Sequence, residues 1–229
     1  MKRILITGGA GSVGRELSNA LIENGDQVRI FDLPFMDFSV FEGHASVEIV
    51  KGDITDLETV QAAVKDMEIV VHLAALLPPN SEKNRERTFA INVGGTQNLL
   101  EAIKKEGSQS RMIFASSVAT YGNTMDEEPP VRVDHHQSAV DIYGETKIES
   151  ERIMIASGVP YTILRISGIS IPAFLDPPEV WPFMHDQRIE FVNRADVFTA
   201  LFASVQQDKA ANKIFNIAGG ESWRMLGHE

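Results

Sequence analysis

A strand, a glycine turn, a helix, a second strand and an acid follow one another within residues 1–32. No other stretch of the chain limits the fold so sharply. Lys2-Arg3-Ile4-Leu5-Ile6-Thr7 is a short apolar run with β-branched residues. Gly8-Gly9-Ala10-Gly11-Ser12-Val13-Gly14 follows at once, and Glu16 to Glu23 then carries Leu17, Ala20 and Leu21 at helical spacing. Gly25 closes that helix, and Val28-Arg29-Ile30-Phe31 begins a strand that ends on Asp32. A buried parallel strand running through glycines into a helix gathers backbone N–H groups and the positive end of a helix dipole at one point. Such a point suits a pyrophosphate, and the acid beyond it can accept hydrogen bonds from ribose hydroxyls. The glycines fit two registers. Gly9, Gly11 and Gly14 read as G-x-G-x-x-G, and Gly8, Gly11 and Gly14 as T-G-x-x-G-x-x-G after Thr7.

The chain has 229 residues, enough for one large domain or one domain with a small appendage. Its net charge of −11 opposes non-specific binding to nucleic acid or anionic membranes. No run of about eighteen apolar residues occurs, so no membrane span is expected, and the N-terminus reads as a strand rather than a signal peptide. Cysteine is absent, which excludes disulfides, thiolate metal sites and cysteine nucleophiles. No spacing supports a zinc hydrolase or a Ser-His-Asp hydrolase, so no metal is expected. A cytoplasmic protein is expected.

Strand-like and helix-like segments alternate down the chain, which predicts an α/β fold with a doubly wound parallel sheet. Val47-Glu48-Ile49-Val50 is a third strand. Thr55 or Asp56 can cap a helix over Leu57 to Lys65. Asp53, at a strand's carboxyl end, is either near an adenine or simply a turn residue. Glu68 to Ala75 reads as a strand buried on both faces, ending in small alanines that admit a ligand. A long helix is expected from about Ser81 to Lys105, with Asn92, Gly94 and Gly95 inside it. Close packing would explain those glycines. His72 reads as a core histidine rather than a catalyst.

Arg111 to Ala115 is a fifth strand that delivers Ser116 and Ser117 to the carboxyl edge of the sheet, where ligands bind in open α/β folds. A helix follows from Asp141 to about Ala156, then a strand over Tyr161 to Arg165. Beyond Ile166, Pro172, Pro177, Pro178 and Pro182 mark an irregular stretch. A short strand over Arg188 to Val192, a helix to about Gln206 and a last strand over Lys213 to Ile217 complete the chain.

Tyr143 and Lys147 stand four apart on a helix and so share a face. An ammonium beside a phenol favours phenolate and lowers the tyrosine's pKa. Such a phenol can take a proton from a sugar hydroxyl as hydride leaves for a nicotinamide, or protonate a carbonyl in reverse. Ser117 can hold that oxygen, with Ser116 as an adjacent competitor. Thr120 and Tyr121 read equally well as pocket lining or as core.

Taken together these segments resemble the extended short-chain dehydrogenase/reductase family, its NAD-dependent epimerase/dehydratase group, in the manner of UDP-galactose 4-epimerase. The resemblance runs through Thr7 to Gly14, Asp32, Gly52-Asp53-Ile54, His72 to Ala75, Asn92 to Thr96, Ser116-Ser117, Tyr121-Gly122, Tyr143-x-x-x-Lys147, Arg165, Arg194 to Val197 and Phe215-Asn216-Ile217. It implies a Rossmann-type fold over residues 1–165 that binds NAD and carries the catalytic residues. It also implies a small, reduced substrate-binding region over 166–229, interleaved with the main domain. It implies that Gly8, Gly11, Ser12, Val13, Gly14, Asp32, Asp53, Ile54, Leu73, Ala74, Ala75, Asn92, Tyr143 and Lys147 hold the dinucleotide. Ser117, Tyr143 and Lys147 are then the catalytic set. The helices from Ser81 and from about Tyr143 would form a four-helix homodimer contact.

Two departures from the family pattern shape the expected function. Val118-Ala119 stand where sugar dehydratases carry an acidic pair, which disfavours dehydration. Ser167-Gly168 stand where many nucleotide-sugar enzymes have an asparagine, and the stretch from Gly168 to Asn193 is short. The first expectation is an NAD-dependent enzyme that epimerises a sugar or nucleotide sugar by hydride transfer. A dehydrogenase or reductase of a smaller sugar or sugar acid is the alternative, and a non-catalytic NAD-binding protein the second. Asp32 would repel a 2′-phosphate and no basic cluster follows it, so NAD is expected over NADP.

Overall fold

The computed structural model of the chain describes residues 1–106, 110–170, 188–221 and 224–226. The four prolines between 172 and 182 lie outside the described residues. The strands are β1 (Arg3–Thr7), β2 (Gln27–Asp32), β3 (Val47–Lys51), β4 (Ile69–His72), β5 (Arg111–Ser117), β6 (Tyr161–Ile166), β7 (Gly168–Ile169), β8 (Arg188–Val192), β9 (Lys213–Ile217) and β10 (Arg224–Leu226). Seven of them form one parallel sheet in the order β3-β2-β1-β4-β5-β6-β9. The order reverses direction between β1 and β4, which marks the ligand-binding crevice of a doubly wound sheet. A small second sheet has the order β10-β8-β7.

The helices are α1 (Ser12–Glu23), α2 (Leu57–Val64), α3 (Arg85–Phe89), α4 (Gly95–Lys105), α5 (Ile142–Ala156) and α6 (Arg194–Gln206). Strand side chains alternate between faces, so the sheet feeds two cores. Ile4, Ile6, Val28, Ile30, Val71 and Ile113 pack with Leu17 and Leu21 of α1 and Val197 and Leu201 of α6. Leu5, Phe31, Val70, Met112, Phe114 and Ile163 pack on the other face with residues of α2, α4 and α5. Full burial of a side chain such as Leu17 or Leu21 contributes about 1.5–3 kcal/mol.

Asp56 rather than Thr55 caps α2, accepting from Glu58 N at 3.1 Å. The expected long helix from Ser81 is a correction. Residues Asn80–Lys83 form a 3₁₀ turn, and the helix starts at Arg85 because Asn84 Oδ1 accepts from Arg87 N at 2.9 Å. A single π turn, Ala90–Gly94, then joins α3 to α4. Gly95 does answer a close contact: a Cβ there would lie 2.8 Å from the Ile54 side chain. Gly94 does not, since its nearest neighbour would be Phe89 O at 3.9 Å.

Candidate active site

The glycine turn joins β1 to α1 at the crevice. Gly8 adopts φ +70°, which L side chains avoid, and a Cβ there would stand 2.8 Å from Ala74 N. A Cβ on Gly14 would come within 2.5 Å of Gly8 O, and one on Gly9 within 2.9 Å of Ile6 O. Both registers are therefore satisfied, by crowding inside the turn. Gly11 differs. Its Cβ would meet only Gly8 O at 3.2 Å, so the missing side chain leaves room on the turn's open side. Gly11 also precedes α1 without a side-chain cap, so the first-turn amides of Ser12, Val13 and Gly14 have no capping side chain. An open helix N-terminus beside a bare Cα has the free amides and the room that a pyrophosphate needs, so the residues fit a dinucleotide.

Asp32, at the end of β2, already accepts two amides: Ala10 N at 3.0 Å and Leu33 N at 2.9 Å. No basic cluster follows Asp32 in sequence, but two basic residues reach its neighbourhood from other segments. Arg15 reaches back from α1 with Nε donating to Ala10 O at 2.7 Å, and Lys51 is the register partner of Asp32 on β3. The sequence after Asp32 could not show them, because they arrive from a helix before it and a strand beyond the next loop. Asp53 is exposed and forms a turn, accepting from Thr55 N at 2.9 Å and from Thr55 Oγ1 at 2.8 Å. Ile54 is buried beneath Gly95.

Leu73, Ala74 and Ala75 are half-buried at the mouth of β4. His72 is buried, with Nδ1 2.7 Å from Thr7 Oγ1 and Nε2 3.1 Å from Thr96 Oγ1. Burial, and then the Lys147 charge, pushes its pKa down to about 3, so it stays neutral. Asn92 sits in the π turn and acts as a strut. Its side chain accepts from Leu76 N at 2.7 Å and donates to Leu76 O and to Thr146 Oγ1 at 3.1 and 3.0 Å.

The structure brings Ser117, Tyr143 and Lys147 to one end of the sheet. Ser117 ends β5 and accepts from Ala119 N at 3.1 Å. Ser116 faces the other way and donates to Glu151 at 2.5 Å, so its hydroxyl is already committed. Lys147 is buried, donates to Ala115 O at 2.7 Å and stands 5.4 Å from the centre of the Tyr143 ring. The expected lowering of the tyrosine pKa is not what the site shows. Burial of much of the Tyr143 side chain, then the charge of Asp141, pushes its pKa up to about 12. Burial pushes Lys147 down to about 7, partly offset by Glu151. The ammonium is aimed at a carbonyl, and the apolar surroundings resist charge on both groups. Thr120 and Tyr121 are buried and donate to Ser117 O and Asn216 Oδ1 at 2.9 and 2.7 Å.

Two supporting residues were not singled out from the sequence. Glu151 lies one helical turn beyond Lys147, completing a Tyr143, Lys147, Glu151 stripe at a spacing of four that was there to be read. It is buried and pairs with Arg165 at 2.7 Å, while Gln137 Nε2 donates to it at 2.9 Å. Glu82 follows the β4 loop and accepts from Ile142 N and Tyr143 N at 2.9 and 3.1 Å. No local pattern announces a contact between residues sixty apart.

The parallel sheet, the glycine turn at its switch point and the tyrosine–lysine pair at its carboxyl edge are together the architecture of the short-chain dehydrogenase/reductase type. The chain belongs to the NAD dependent epimerase/dehydratase family, whose model matches residues 4–172. It is 34% identical over 176 residues to a 3 beta-hydroxysteroid dehydrogenase/Delta 5→4-isomerase of Mycobacterium tuberculosis, covering 73% of this chain and 47% of that protein. It is 32% identical over 181 residues to the D-erythronate dehydrogenase of Cupriavidus necator, covering 73% and 55%. The chain thus spans about half the length of these curated relatives. A crystal structure of UDP-glucose 4-epimerase with UDP-glucose from Thermotoga maritima superposes with a TM-score of 0.84 at 25% identity. That match covers 98% of this chain and 79% of that one.

Proposed function

We propose that the protein is an NAD-dependent enzyme that epimerises a sugar or nucleotide sugar by hydride transfer at a hydroxyl-bearing carbon. The observation that carries this reading is the convergence of Ser117, Tyr143 and Lys147 at the carboxyl edge, beside the Gly8–Gly14 cradle. The names of the relatives fit it, since a 4-epimerase and two dehydrogenases all bear on oxidation at such a carbon.

Bound NAD supplies the hydride acceptor. Gly11 and the first-turn amides of α1 hold its pyrophosphate, and Asp32 accepts from a ribose hydroxyl. Leu73, Ala74 and Ala75 form the floor at β4. Ser117 Oγ donates to the substrate oxygen. Tyr143 Oη, as phenolate after losing its own proton to solvent against a pKa that burial raises to about 12, takes the hydroxyl proton as hydride leaves and returns it when hydride comes back. Lys147, with its ammonium 5.4 Å from the centre of the Tyr143 ring, would hold the nicotinamide ribose. The segment between β6 and α6, with residues after β9, is the proposed substrate-binding region.

A dehydrogenase of a smaller sugar acid is the second reading, favoured by the D-erythronate dehydrogenase relative and the short stretch between β6 and α6. We also propose a homodimer through α4 and α5, on the family pattern, and a cytoplasmic setting in which an NAD pool is available. The test incubates the purified protein with NAD and, separately, UDP-sugars and C4 to C6 sugar acids. Epimer interconversion without net NADH supports the first reading. Net NADH from a sugar acid supports the second. NAD binding with neither product would leave the non-catalytic alternative.

A further inference from the structure

One residue of the glycine turn is gripped by opposite charges. Ala10 N donates to Asp32 Oδ2 at 3.0 Å, and Ala10 O accepts from Arg15 Nε at 2.7 Å. The arginine and the acidic residue proposed to receive the adenosine ribose therefore hold the two sides of one residue, Ala10. Its other arm is turned away. Arg15 Nη2 donates to Asp37 O at 2.6 Å and to Asp37 Oδ2 at 3.2 Å. Asp37 is itself fixed, because its Oδ1 accepts from Ser39 N at 3.0 Å. Hydrogen bonds from the Ser39 backbone and side chain, then the arginine, hold its carboxyl below the usual range. Lys51, the other cation beside Asp32, has its ammonium 5.1 Å from the centre of the Phe38 ring.

We propose that Asp37 is a specificity-determining residue: it engages Arg15, and together with Asp32 it closes a latent 2′-phosphate site at Ala10. A guanidinium is the group best matched to a phosphate, because its planar fork gives two parallel charge-assisted bonds. Asp32 alone repels a 2′-phosphate at the ribose. Asp37 adds the second half of the exclusion by occupying a cation able to receive it. The charges joined at this spot are Asp32 from β2, Asp37 from the loop after it, Arg15 from α1 and Lys51 from β3. Two acids meet two bases there, and removing both acids leaves the spot net positive. The proposal rests on the NAD reading above, and it extends that reading from the ribose acid to a pair of acids and one arginine.

The test measures binding of NAD, 5′-AMP and 2′,5′-ADP to the full chain by calorimetry. Wild type should bind NAD and 5′-AMP and discriminate against 2′,5′-ADP. The double variant Asp32→Ser, Asp37→Ser should gain at least about tenfold in 2′,5′-ADP affinity, and adding Arg15→Ala should erase that gain. Asp37→Asn, which keeps the size and the Ser39 bond acceptor, should show a smaller gain in the Asp32→Ser background. If the double variant binds 5′-AMP normally yet gains nothing for 2′,5′-ADP, the proposal is wrong. A gain that survives Arg15→Ala overturns it as well. Failure of wild type to bind NAD or 5′-AMP is a different result, and it overturns the cofactor reading itself.

Discussion

Glu82 caps the helix that begins one residue before Tyr143, its carboxylate accepting the amides of Ile142 and Tyr143 at 2.9 and 3.1 Å. Asp141 Oδ1 accepts the next one, Gly144 N, at 2.6 Å. Three of the four orphan donors of α5 are thus met by carboxylates, where the helix dipole favours negative charge. Glu82→Ala should lower stability by about 1 kcal/mol, as loss of a cap does. Because the uncapped first turn carries Tyr143, turnover should fall more than NAD affinity does. Glu82→Gln keeps an acceptor and should restore most of both. Thermal melting and turnover measured side by side check this; equal turnover in Glu82→Ala and wild type would remove Glu82 from the positioning of Tyr143.

Tyr143→Phe removes the hydroxyl and leaves the ring over Lys147. Loss of a general acid–base group costs roughly 10²–10⁴-fold in rate. NAD affinity should stay nearly intact, since the glycine cradle and Asp32 are untouched. Turnover with the substrate that the proposed screen identifies, set against NAD titration, separates the two effects. Ser116→Ala should behave differently from Ser117→Ala, because only Ser117 is turned away from Glu151. The first should cost stability and the second turnover.

The sheet was legible because its signals are local. Ile4 and Ile6 against Leu5 show the strand period, and β1 to β6 are found where the apolar runs predict them. The glycine turn, Asp32 and the Tyr143–Lys147 pair were legible for the same reason, since each motif is contiguous or one helical turn long. What the sequence hid lies between distant segments. Arg15 reaches Ala10 and Asp37 by folding back over the turn, and Glu82 reaches a helix sixty residues on. The helix start at Ser81 was misread because Ser81, Glu82 and Asn84 all resemble caps. The chain uses Asn84 for α3 and Glu82 for α5. The sign of the Tyr143 shift was misread because spacing gives proximity to Lys147 but says nothing about burial.

The glycines of the turn should separate by phenotype. Gly14→Ala forces a Cβ to within 2.5 Å of Gly8 O and 2.6 Å of Gly9 Cα, both backbone atoms that cannot step aside. Overpacking of this kind costs about 1–3 kcal/mol, occasionally more, so the variant should melt early or fail to fold. Gly11→Ala meets one atom at 3.2 Å and should fold with little loss. Its methyl enters the cradle, however, so NAD affinity should drop by at least about tenfold. Denaturant unfolding and NAD titration of the two variants give the check.

Arg165→Met should be among the most destabilising single changes. Glu151 is buried, and Arg165 meets it through Nη2 at 2.7 Å and through Nε at 3.1 and 3.2 Å. The same guanidinium donates to Tyr121 Oη at 2.7 Å and Val133 O at 2.9 Å, which ties the loop before α5 to the sheet. Removing one partner strands a buried carboxylate, at a cost on the order of 3–5 kcal/mol. Glu151→Gln with Arg165→Met should recover part of that loss, and urea unfolding of the single and double variants measures the coupling.

Lys147→Met should abolish turnover and yet stabilise the fold at neutral and acidic pH. Burial, partly offset by Glu151, lowers the Lys147 pKa from 10.5 to about 7. Between those values the unfolded chain holds a proton that the folded chain does not, so unfolding free energy rises with pH across that window. Below about pH 7 both states hold the proton, and the full cost of a buried ammonium is present. The apolar methionine carries no such cost, and Glu151 keeps Arg165 as its partner. The gain is reduced by loss of the Lys147 bond to Ala115 O at 2.7 Å. A net stabilisation on the order of 1–3 kcal/mol at pH 6 is expected, shrinking toward zero by about pH 10. Denaturant unfolding of both proteins across that range is the measurement. A variant less stable than wild type at pH 6 would show that the bond to Ala115 O outweighs the burial of the charge.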